Sequence, residues 1–391
     1  MKTSGKGSAP PLSLDRRRFL TLAGAAALAP GALLARFSEG VPVGRRRMIQ
    51  RNGYGVDAET PLDALTTYLT PNDLFFVRNH WNPQYPGHRG WALTVDGEVE
   101  RPLRLSAQDL RRMPRTEVTC VLQCAGNGRG LFEPPVPGIQ WKYGAVGNAR
   151  WGGVRVKDIL DRAGLKAEGR HLHSFGTDKP PVHVPPFHRS IEIEKVLADA
   201  IVADEMNGEP LPAPHGGPAR LVVPGWAGVH WMKWLDRLSA QPEAQKGFYM
   251  ETAYRYPKEL GAPGVVLPSS EMRPLTELFV KSSVTEPPAR ARAGSPVVLR
   301  GFAFSGAPDV VKVEISEDEG QTWRPAELDP QHDPWAWRLW SFRWVPSVPG
   351  PHTLWARATD SRGAVQPKDA PWNPSGYLHN GWHAAAVEVE S

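Results

Sequence analysis

The C-terminal third of the chain has apolar side chains at every second position in several short runs, with turn residues between the runs. The apolar positions are Val311, Val313 and Ile315 in one run, Trp340, Phe342 and Trp344 in a second, and Leu354, Ala356 and Ala358 in a third. Alternation with a period of two puts such residues on one face of a strand. The pattern predicts an all-β sandwich of immunoglobulin-like type over residues 276–391.

Residues 61–275 have a different pattern, in which short apolar runs are mixed with many Gly and Pro turns. Helical spacing predicts one helix over residues 154–165, with Gly164 as its stop signal, and a second over residues 193–200. The predicted strands are residues 91–95, 118–122 and 220–223. We therefore expect a mixed α+β domain, joined to the sandwich by a stiff Thr-Glu-Pro-Pro linker at residues 285–288.

The N-terminus carries Arg16 and Arg17 in an Asp-Arg-Arg-Arg-Phe-Leu segment, followed by an apolar run to residue 35. The run is short for a bilayer span, so residues 1–35 are predicted to be a Tat export signal, with a membrane anchor as the alternative. Residues 36–60 are expected to be an extended leader. The predicted location is the periplasm or another extracytoplasmic space, and the cleavage site stays open.

The net charge does not favour a nucleic-acid partner. The formal charge is +5, and the predicted signal alone carries +4. The remaining chain is therefore close to neutral, which argues against binding to nucleic acid or to a membrane surface.

One glycine-rich turn carries the most informative residues. Cys124 follows the predicted strand at 118–122, and Gly126 and Gly128 lead to Arg129. A thiolate binds soft metals, a guanidinium binds oxyanions, and glycines allow close approach of a bulky group. An inert, buried cysteine is the alternative interpretation, and it is the one we favour for Cys120, the only other cysteine.

The segment Leu-Gln-Cys-Ala-Gly-Asn-Gly-Arg at residues 122–129 resembles the molybdenum-ligand segment of the sulfite oxidase family. Other segments resemble that family in the same order along the chain: Phe-Phe-Val-Arg-Asn-His at 75–80, His-Gly-Gly-Pro-Ala-Arg at 215–220, and Trp-Met-Lys-Trp-Leu at 231–235. The resemblance covers residues 65–390. It implies a molybdopterin-binding catalytic domain followed by a dimerisation domain.

The resemblance also implies roles for particular residues. Cys124 is expected to be the metal ligand. Arg78, Arg129, Trp141 and Tyr254 correspond to substrate-site residues of the family. Asn79, His80, Asp178, His215, Arg220 and Lys233 correspond to cofactor-binding residues. The implied cofactor is molybdenum–molybdopterin, although tungsten is not excluded, and no Cys-x-x-Cys-His motif for attached haem occurs in this chain.

The implied activity is oxidation of sulfite to sulfate by oxo transfer, with electrons passing to an external acceptor such as a c-type cytochrome. The expected partners are a sulfur oxyanion and a second copy of the chain, and a separate haem subunit stays open. One alternative is a sulfane-sulfur dehydrogenase or another molybdenum oxidoreductase of this fold. A second alternative, from another class, is a non-catalytic exported binding protein.

One position departs from the family pattern. Ser375 occupies the place where sulfite oxidases commonly have a third substrate-binding arginine. We expect another arginine to compensate, and Arg255 is the candidate because it follows Tyr254.

Overall fold

Helices are few and short in this structure, a computed structural model that describes residues 48–51, 57–81, 87, 89–265 and 267–391. The signal predicted at residues 1–35 lies outside the described residues. The α-helices are α1 (Ala107–Arg111), α2 (Val156–Ala163), α3 (Ile193–Asp199) and α4 (Phe248–Glu251). Within the described ranges, none of the helices is long and apolar enough to cross a bilayer.

Strands make up most of the regular structure. The strands before residue 275 are β1 (Ile49–Gln50), β2 (Ala58–Glu59), β3 (Ala92–Gly97), β4 (Leu103–Ser106), β5 (Thr116–Gln123), β6 (Val146–Arg155), β7 (His171–Gly176), β8 (His188–Glu192), β9 (Ile201–Met206), β10 (Glu209–Pro210), β11 (Arg220–Val222), β12 (Leu235–Gln241), β13 (Arg255–Pro257) and β14 (Met272–Pro274). The later strands are β15 (Lys281–Glu286), β16 (Arg290–Arg292), β17 (Val297–Phe304), β18 (Val310–Ser316), β19 (Arg324–Pro325), β20 (Glu327–Leu328), β21 (Arg338–Trp344), β22 (Gly350–Asp360) and β23 (His383–Glu390).

The N-terminal domain contains two five-stranded sheets that share one hydrophobic core. One sheet has the order β10-β9-β6-β5, with β11 also paired to β9, and the other has the order β4-β3-β12-β7-β8. Helix α2 buries Ile159 and Leu160 against this core and ends at Gly164, whose φ of 73° is left-handed. The predicted helix, its glycine stop and the three predicted strands are therefore confirmed, with boundaries shifted by a few residues.

The C-terminal domain is a sandwich of a four-stranded sheet, β15-β17-β21-β20, and a five-stranded sheet, β16-β23-β22-β18-β19. All pairs are antiparallel except the parallel edge pair β16–β23. The predicted inward faces of β21 and β22 are buried. In β18 the prediction is wrong at Val311, which is 53% exposed, because a register shift between Val310 and Lys312 turns Val310 inward instead.

Parts of the predicted stiff linker and of the predicted extended leader belong to strands of the packed structure. Thr285 and Glu286 are the last residues of strand β15, so the linker prediction at residues 285–288 is wrong. The two prolines of the segment follow that strand directly. The prediction failed because the same residue types suit the turn after a strand as well as a linker. The predicted leader also ends too late. Ala58 and Glu59 form the buried strand β2, and Ala58 pairs with Val77.

The two domains are joined by a hydrophobic core of their own. Val121 and Ala125, on either side of Cys124, belong to the same buried cluster as Phe302, Phe304 and Trp337 of the sandwich. The turn that carries the thiol is therefore built against the interface between the two domains.

Candidate active site

Cys124 lies directly after β5 on a turn that both domains hold in place. Its backbone N–H donates to the Ala145 carbonyl at 2.9 Å, and the N–H of Leu378, from the sandwich domain, donates to the Ala125 carbonyl at 2.9 Å. Burial raises the pKa of the Cys124 thiol. Cys120 is fully buried within β5 and both cysteines are free, which confirms the interpretation of Cys120 as a packed side chain.

The Arg129 side chain is held by backbone carbonyls and enclosed by glycines. Its Nε donates to the Ser375 carbonyl at 3.1 Å, and its Nη1 donates to the Ile139 carbonyl at 3.2 Å. A Cβ added at Gly126, Gly138 or Gly376 would lie 2.9, 2.7 or 2.8 Å from an Arg129 side-chain atom. The absence of a side chain at these three glycines therefore leaves the space that the Arg129 side chain occupies.

Two cavities meet at Cys124. The first, which we call the Trp141 cavity, has an empty volume of about 910 Å³ including its open mouth. Its polar and aromatic lining residues are Arg78, Cys124, Arg129, Trp141, Phe248, Thr252, Tyr254, Ser375 and Tyr377. The second, which we call the Lys233 cavity, has an empty volume of about 760 Å³ by the same measure. Its lining includes Arg78, Asn79, His80, Cys124, Asp178, His215, Arg220, Lys233 and Tyr254.

Arg78 lies where the two cavities join. Its guanidinium Nη1 is 3.6 Å from a carboxylate oxygen of Asp57 and has no hydrogen-bond partner among the described residues. The same Asp57 oxygen accepts a hydrogen bond from the Asn79 N–H at 2.8 Å. The pairing of Ala58 with Val77 brings Asp57 to this position. One Arg78 donor group therefore stays available to an anion in the cavities.

Tyr254 and His80 form a hydrogen-bonded pair at the same junction. The phenol oxygen of Tyr254 is 2.8 Å from Nε2 of His80, and the Phe187 ring stacks on His80 with centroids 4.1 Å apart. Burial lowers the pKa of His80 well below its usual range, and nearby cations lower it further, whereas burial raises the pKa of Tyr254. Both groups are therefore neutral near pH 7, so the phenol can donate either to His80 or to a ligand in the cavity.

The Lys233 cavity contains cations that have no acidic partner within ion-pair distance in the described structure. The Arg220 guanidinium donates to the carbonyls of His215 at 2.7 Å and Trp231 at 3.1 Å, and its Nε has no partner. Lys233 donates to the Asn79 side chain and, at 3.0 Å, to the Pro214 carbonyl. Burial lowers the pKa of Arg220 to about 9 and lowers that of Lys233 well below its usual range.

This arrangement fits a bulky anionic cofactor. Buried cations are costly unless a counter-ion or hydrogen bonds compensate, and an anion in the Lys233 cavity would supply the counter-ion for Arg220 and Lys233. A volume of several hundred cubic ångströms suits a cofactor of moderate size. The thiol of Cys124, at the junction, is a ligand for a soft metal carried by such a group.

The structure brings together all eleven residues that the sequence singled out, although their individual roles stay predictions. The prediction that Arg255 compensates for the arginine missing at position 375 is wrong. Arg255 does not line either cavity, because its guanidinium is turned to the backbone carbonyls of Met250, at 3.0 Å, and Met272.

Sequence reasoning missed three residues that shape the site. These are Asp57, Phe187 and Tyr377. The Tyr377 ring stacks on Tyr254 with centroids 5.3 Å apart, and the Arg129 guanidinium lies 5.3 Å from the Tyr377 ring centroid. Of these three residues, only Tyr377 could have been found from the sequence, because it lies two residues after Ser375, the position that departs from the family pattern. Asp57 and Phe187 each lie one residue before a strand, and the long-range pairing of Ala58 with Val77 and of His188 with Phe175, which the local sequence does not encode, brings them to the site.

Two family models match the chain on either side of the domain boundary. The oxidoreductase molybdopterin binding domain matches residues 80–249, and the Mo-co oxidoreductase dimerisation domain matches residues 273–390. The protein is therefore a molybdopterin-dependent oxidoreductase. The Lys233 cavity, with Arg220 and Lys233 in its lining, and the free thiol of Cys124 fit the molybdenum–molybdopterin cofactor that this class of enzyme requires.

Proteins of similar sequence show to which family of molybdopterin-dependent oxidoreductases the chain belongs. Sulfite oxidase from Gallus gallus is 38% identical over 84% of this chain and 75% of its own length, and sulfite oxidase from Arabidopsis thaliana is 33% identical over 85% and 92%. For the mitochondrial sulfite oxidase of Homo sapiens the identity is 37%, over 85% of this chain and 64% of that protein. The chain belongs to the sulfite oxidase family of molybdopterin oxidoreductases.

A solved structure of a protein named for another activity is also similar. The sulfane dehydrogenase SoxCD from Paracoccus pantotrophus matches with a TM-score of 0.76 and 30% identity over 88% of this chain and 90% of that one. The fold is thus shared by proteins that are named for different sulfur compounds.

Proposed function

We propose that the protein oxidises sulfite to sulfate, with water as the oxygen source and with two electrons and two protons released. The observation that supports this most directly is the convergence of Arg78 and Arg129 on one cavity beside Cys124. Two guanidinium groups suit a compact dianion, because each can donate two parallel hydrogen bonds to its oxygens. When bound, the molybdenum cofactor supplies oxygen-atom transfer and accepts the two electrons.

The residues of the chain then have separate tasks. Arg78 and Arg129 bind and orient the oxyanion, and the carbonyls of Ser375 and Ile139 fix the direction of the Arg129 fork. The rings of Trp141 and Tyr377 line the cavity and exclude water, which strengthens charge interactions inside it. The neutral phenol of Tyr254, which contacts His80 in this structure, would donate a hydrogen bond to an oxygen of a ligand bound beside Cys124.

A sulfane-sulfur compound is the second candidate substrate. Two observations favour it: Ser375 brings no third charge to the cavity, and the structure of the sulfane dehydrogenase SoxCD is similar to this one. A larger or less charged substrate would need room rather than a third arginine. The exposed side chain of Phe248 adds an apolar surface to the same cavity.

A steady-state assay of the metal-loaded protein distinguishes the two substrates. Sulfite and a small persulfide would be offered separately, each with cytochrome c as electron acceptor. We expect turnover of sulfite at submillimolar to millimolar concentration. If the protein ignores millimolar sulfite and oxidises the persulfide, the sulfite proposal is wrong and the sulfane activity replaces it.

Two variants test the charge in the cavity. Arg129→Gln removes a charged contact worth about 1.5–3 kcal/mol, so KM for sulfite should rise by one to two powers of ten. Ser375→Arg is the matched change in the opposite direction, and we expect it to lower KM or to leave it unchanged. A rise in KM with Ser375→Arg as large as that with Arg129→Gln would contradict binding of a compact dianion here.

We also propose the setting in which the enzyme works. The twin-arginine segment at residues 15–20 supports export to the periplasm or another extracytoplasmic space, and a c-type cytochrome is the proposed electron acceptor. The match of residues 273–390 to a dimerisation domain supports a homodimer. Sedimentation at micromolar concentration tests the last proposal, and a mass near that of one chain would contradict it.

A further inference from the structure

Arg189 is a fully buried arginine next to the site that the roles described so far do not use. It lies in strand β8, two residues after Phe187, and its side chain is 0% exposed. Residues two apart in a strand point to the same side. Phe187, the residue immediately before β8, packs on His80, and Arg189 packs on Tyr254, while His188 between them turns away and packs on Phe175.

The Arg189 guanidinium lies among aromatic rings and backbone groups, and Glu192 and Arg255 are charged groups that act on it from outside ion-pair distance. One of its amino groups donates to the Tyr249 carbonyl, another is 3.3 Å from Nε2 of His230, and its central carbon lies 5.8 Å from the Tyr254 ring centroid. Its Nε has no hydrogen-bond partner among the residues that the structure describes. Across the described ranges no carboxylate lies within 4.0 Å of it.

A buried guanidinium without a counter-ion destabilises a folded protein, so its presence calls for a compensating anion. Burial lowers the pKa of Arg189 to about 10, and it therefore stays protonated near pH 7. His230 supplies no negative charge to Arg189, and burial, which lowers the pKa of His230 well below its usual range, leaves its imidazole neutral. Arg189 lines neither cavity, but Tyr254 lines both, and Tyr377, which also interacts electrostatically with Arg189, lines only the Trp141 cavity.

We propose that Arg189 is a positioning residue that supplies the third positive charge of the substrate site, acting through Tyr254 on an anion held by Arg78 and Arg129. Ser375 brings no charge to this cavity, and Arg255 is turned away from it. Arg189 compensates for the charge missing at position 375 without lining the Trp141 cavity, because the Tyr254 ring lies between its guanidinium and the substrate. The identity of the anion as sulfite rests on the function proposed above, whereas the charge itself does not.

The test compares three changes at this position and one beside it. Arg189→Gln removes the charge and keeps a donor for the Tyr249 carbonyl, Arg189→Met removes both, and Arg189→Lys keeps the charge. Arg255→Met is the matched control, because Arg255 also binds backbone carbonyls beside Tyr254 but does not contact the Tyr254 ring. Each metal-loaded variant would be assayed for KM and kcat with sulfite, and for the dissociation constant of sulfate by anion-dependent thermal shift.

We expect Arg189→Gln and Arg189→Met to weaken sulfate binding and to raise KM by about tenfold, with a smaller effect on kcat. Arg189→Lys should stay within about threefold of the wild type, and Arg255→Met should leave anion affinity unchanged. Sulfate affinity within twofold of the wild type in Arg189→Gln would overturn the proposal. Equal losses in Arg189→Gln and Arg189→Lys would also overturn it, because they would indicate a packing role alone.

Sulfate binding separates this inference from the proposed function. If the wild type does not oxidise sulfite but binds sulfate in a way that depends on the charge at Arg189, the substrate assignment fails and the role of Arg189 stands. If sulfite is oxidised and sulfate affinity does not depend on the charge at Arg189, the substrate assignment stands and the proposed role of Arg189 fails.

Discussion

The two cavities that meet at Cys124 are built in different ways. In the Lys233 cavity the charged groups are held by their own domain: Arg220 donates to the carbonyl of His215, five residues earlier, and Lys233 donates to that of Pro214. In the Trp141 cavity, Arg129 donates to the carbonyl of Ser375, which is 246 residues away and belongs to the sandwich domain. One half of the site is local, and the other depends on how two domains meet.

This difference indicates what each half can tolerate. A change in the sandwich domain has no direct path to the Lys233 cavity, because no sandwich residue lines it within the described structure. The same change reaches the Trp141 cavity through Ser375 and Tyr377. Cofactor binding and substrate affinity should therefore respond to different mutations, and three experiments test that separation.

The largest effect is expected at the junction of the cavities. Cys124→Ser should lower activity by more than the roughly 10–100-fold that the loss of a supporting contact costs at metal sites, because a hydroxyl is a much poorer ligand than a thiolate. Cys120→Ser is the control, and it should cost about 1–3 kcal/mol of stability while activity per bound metal is kept. Similar losses of activity per metal in both variants would contradict a single thiol ligand.

The next effect concerns the Lys233 cavity alone. In Arg220→Met we expect molybdenum and pterin content per chain to fall about tenfold or more, because a charged contact to the cofactor is lost. The stability of the cofactor-free protein should change little, because removal of a buried cation offsets the loss of the hydrogen bonds to the carbonyls of His215 and Trp231.

Arg101→Met, on the surface, is the control for Arg220→Met, and both of its measured values should match the wild type. Cofactor content would be measured by metal and pterin analysis, and stability by thermal unfolding of cofactor-free protein. A normal cofactor content in Arg220→Met would remove the main support for the anion site.

The smallest effect tests the part of the Trp141 cavity that the sandwich provides. Gly376 and Gly363 both have left-handed backbones, with φ of 59° and 83°, so alanine at either should cost about 1–2 kcal/mol. Only at Gly376 would the new Cβ meet Arg129, 2.8 Å from its Cγ, whereas at Gly363 nothing lies within 4 Å. We expect KM to rise severalfold in Gly376→Ala with normal cofactor content, and to stay unchanged in Gly363→Ala. Equal KM values in the two variants would show that the glycine contact does not position Arg129.

Much of the fold could be predicted, because local patterns encode it. The faces of β21 and β22 followed from period-two alternation, and Gly164 marked the end of α2 correctly. The errors arose where one pattern has two physical outcomes. The Thr-Glu-Pro-Pro segment suits a strand end with a turn as well as a linker, and a single register shift in β18 exchanged Val310 for Val311.

The sequence by itself identified the residues of the cofactor half of the site, because they lie in short motifs such as residues 215–220, where Arg220 donates to the carbonyl of His215. The sequence also named Arg78 and Arg129, but tertiary structure alone decided which further charged groups lie near the Trp141 cavity. Arg189 and Asp57 reach the site through strand pairing, and Arg255, which the sequence favoured, is turned to backbone carbonyls. The direction of a long side chain depends on packing between distant segments, and proximity along the chain does not encode that packing.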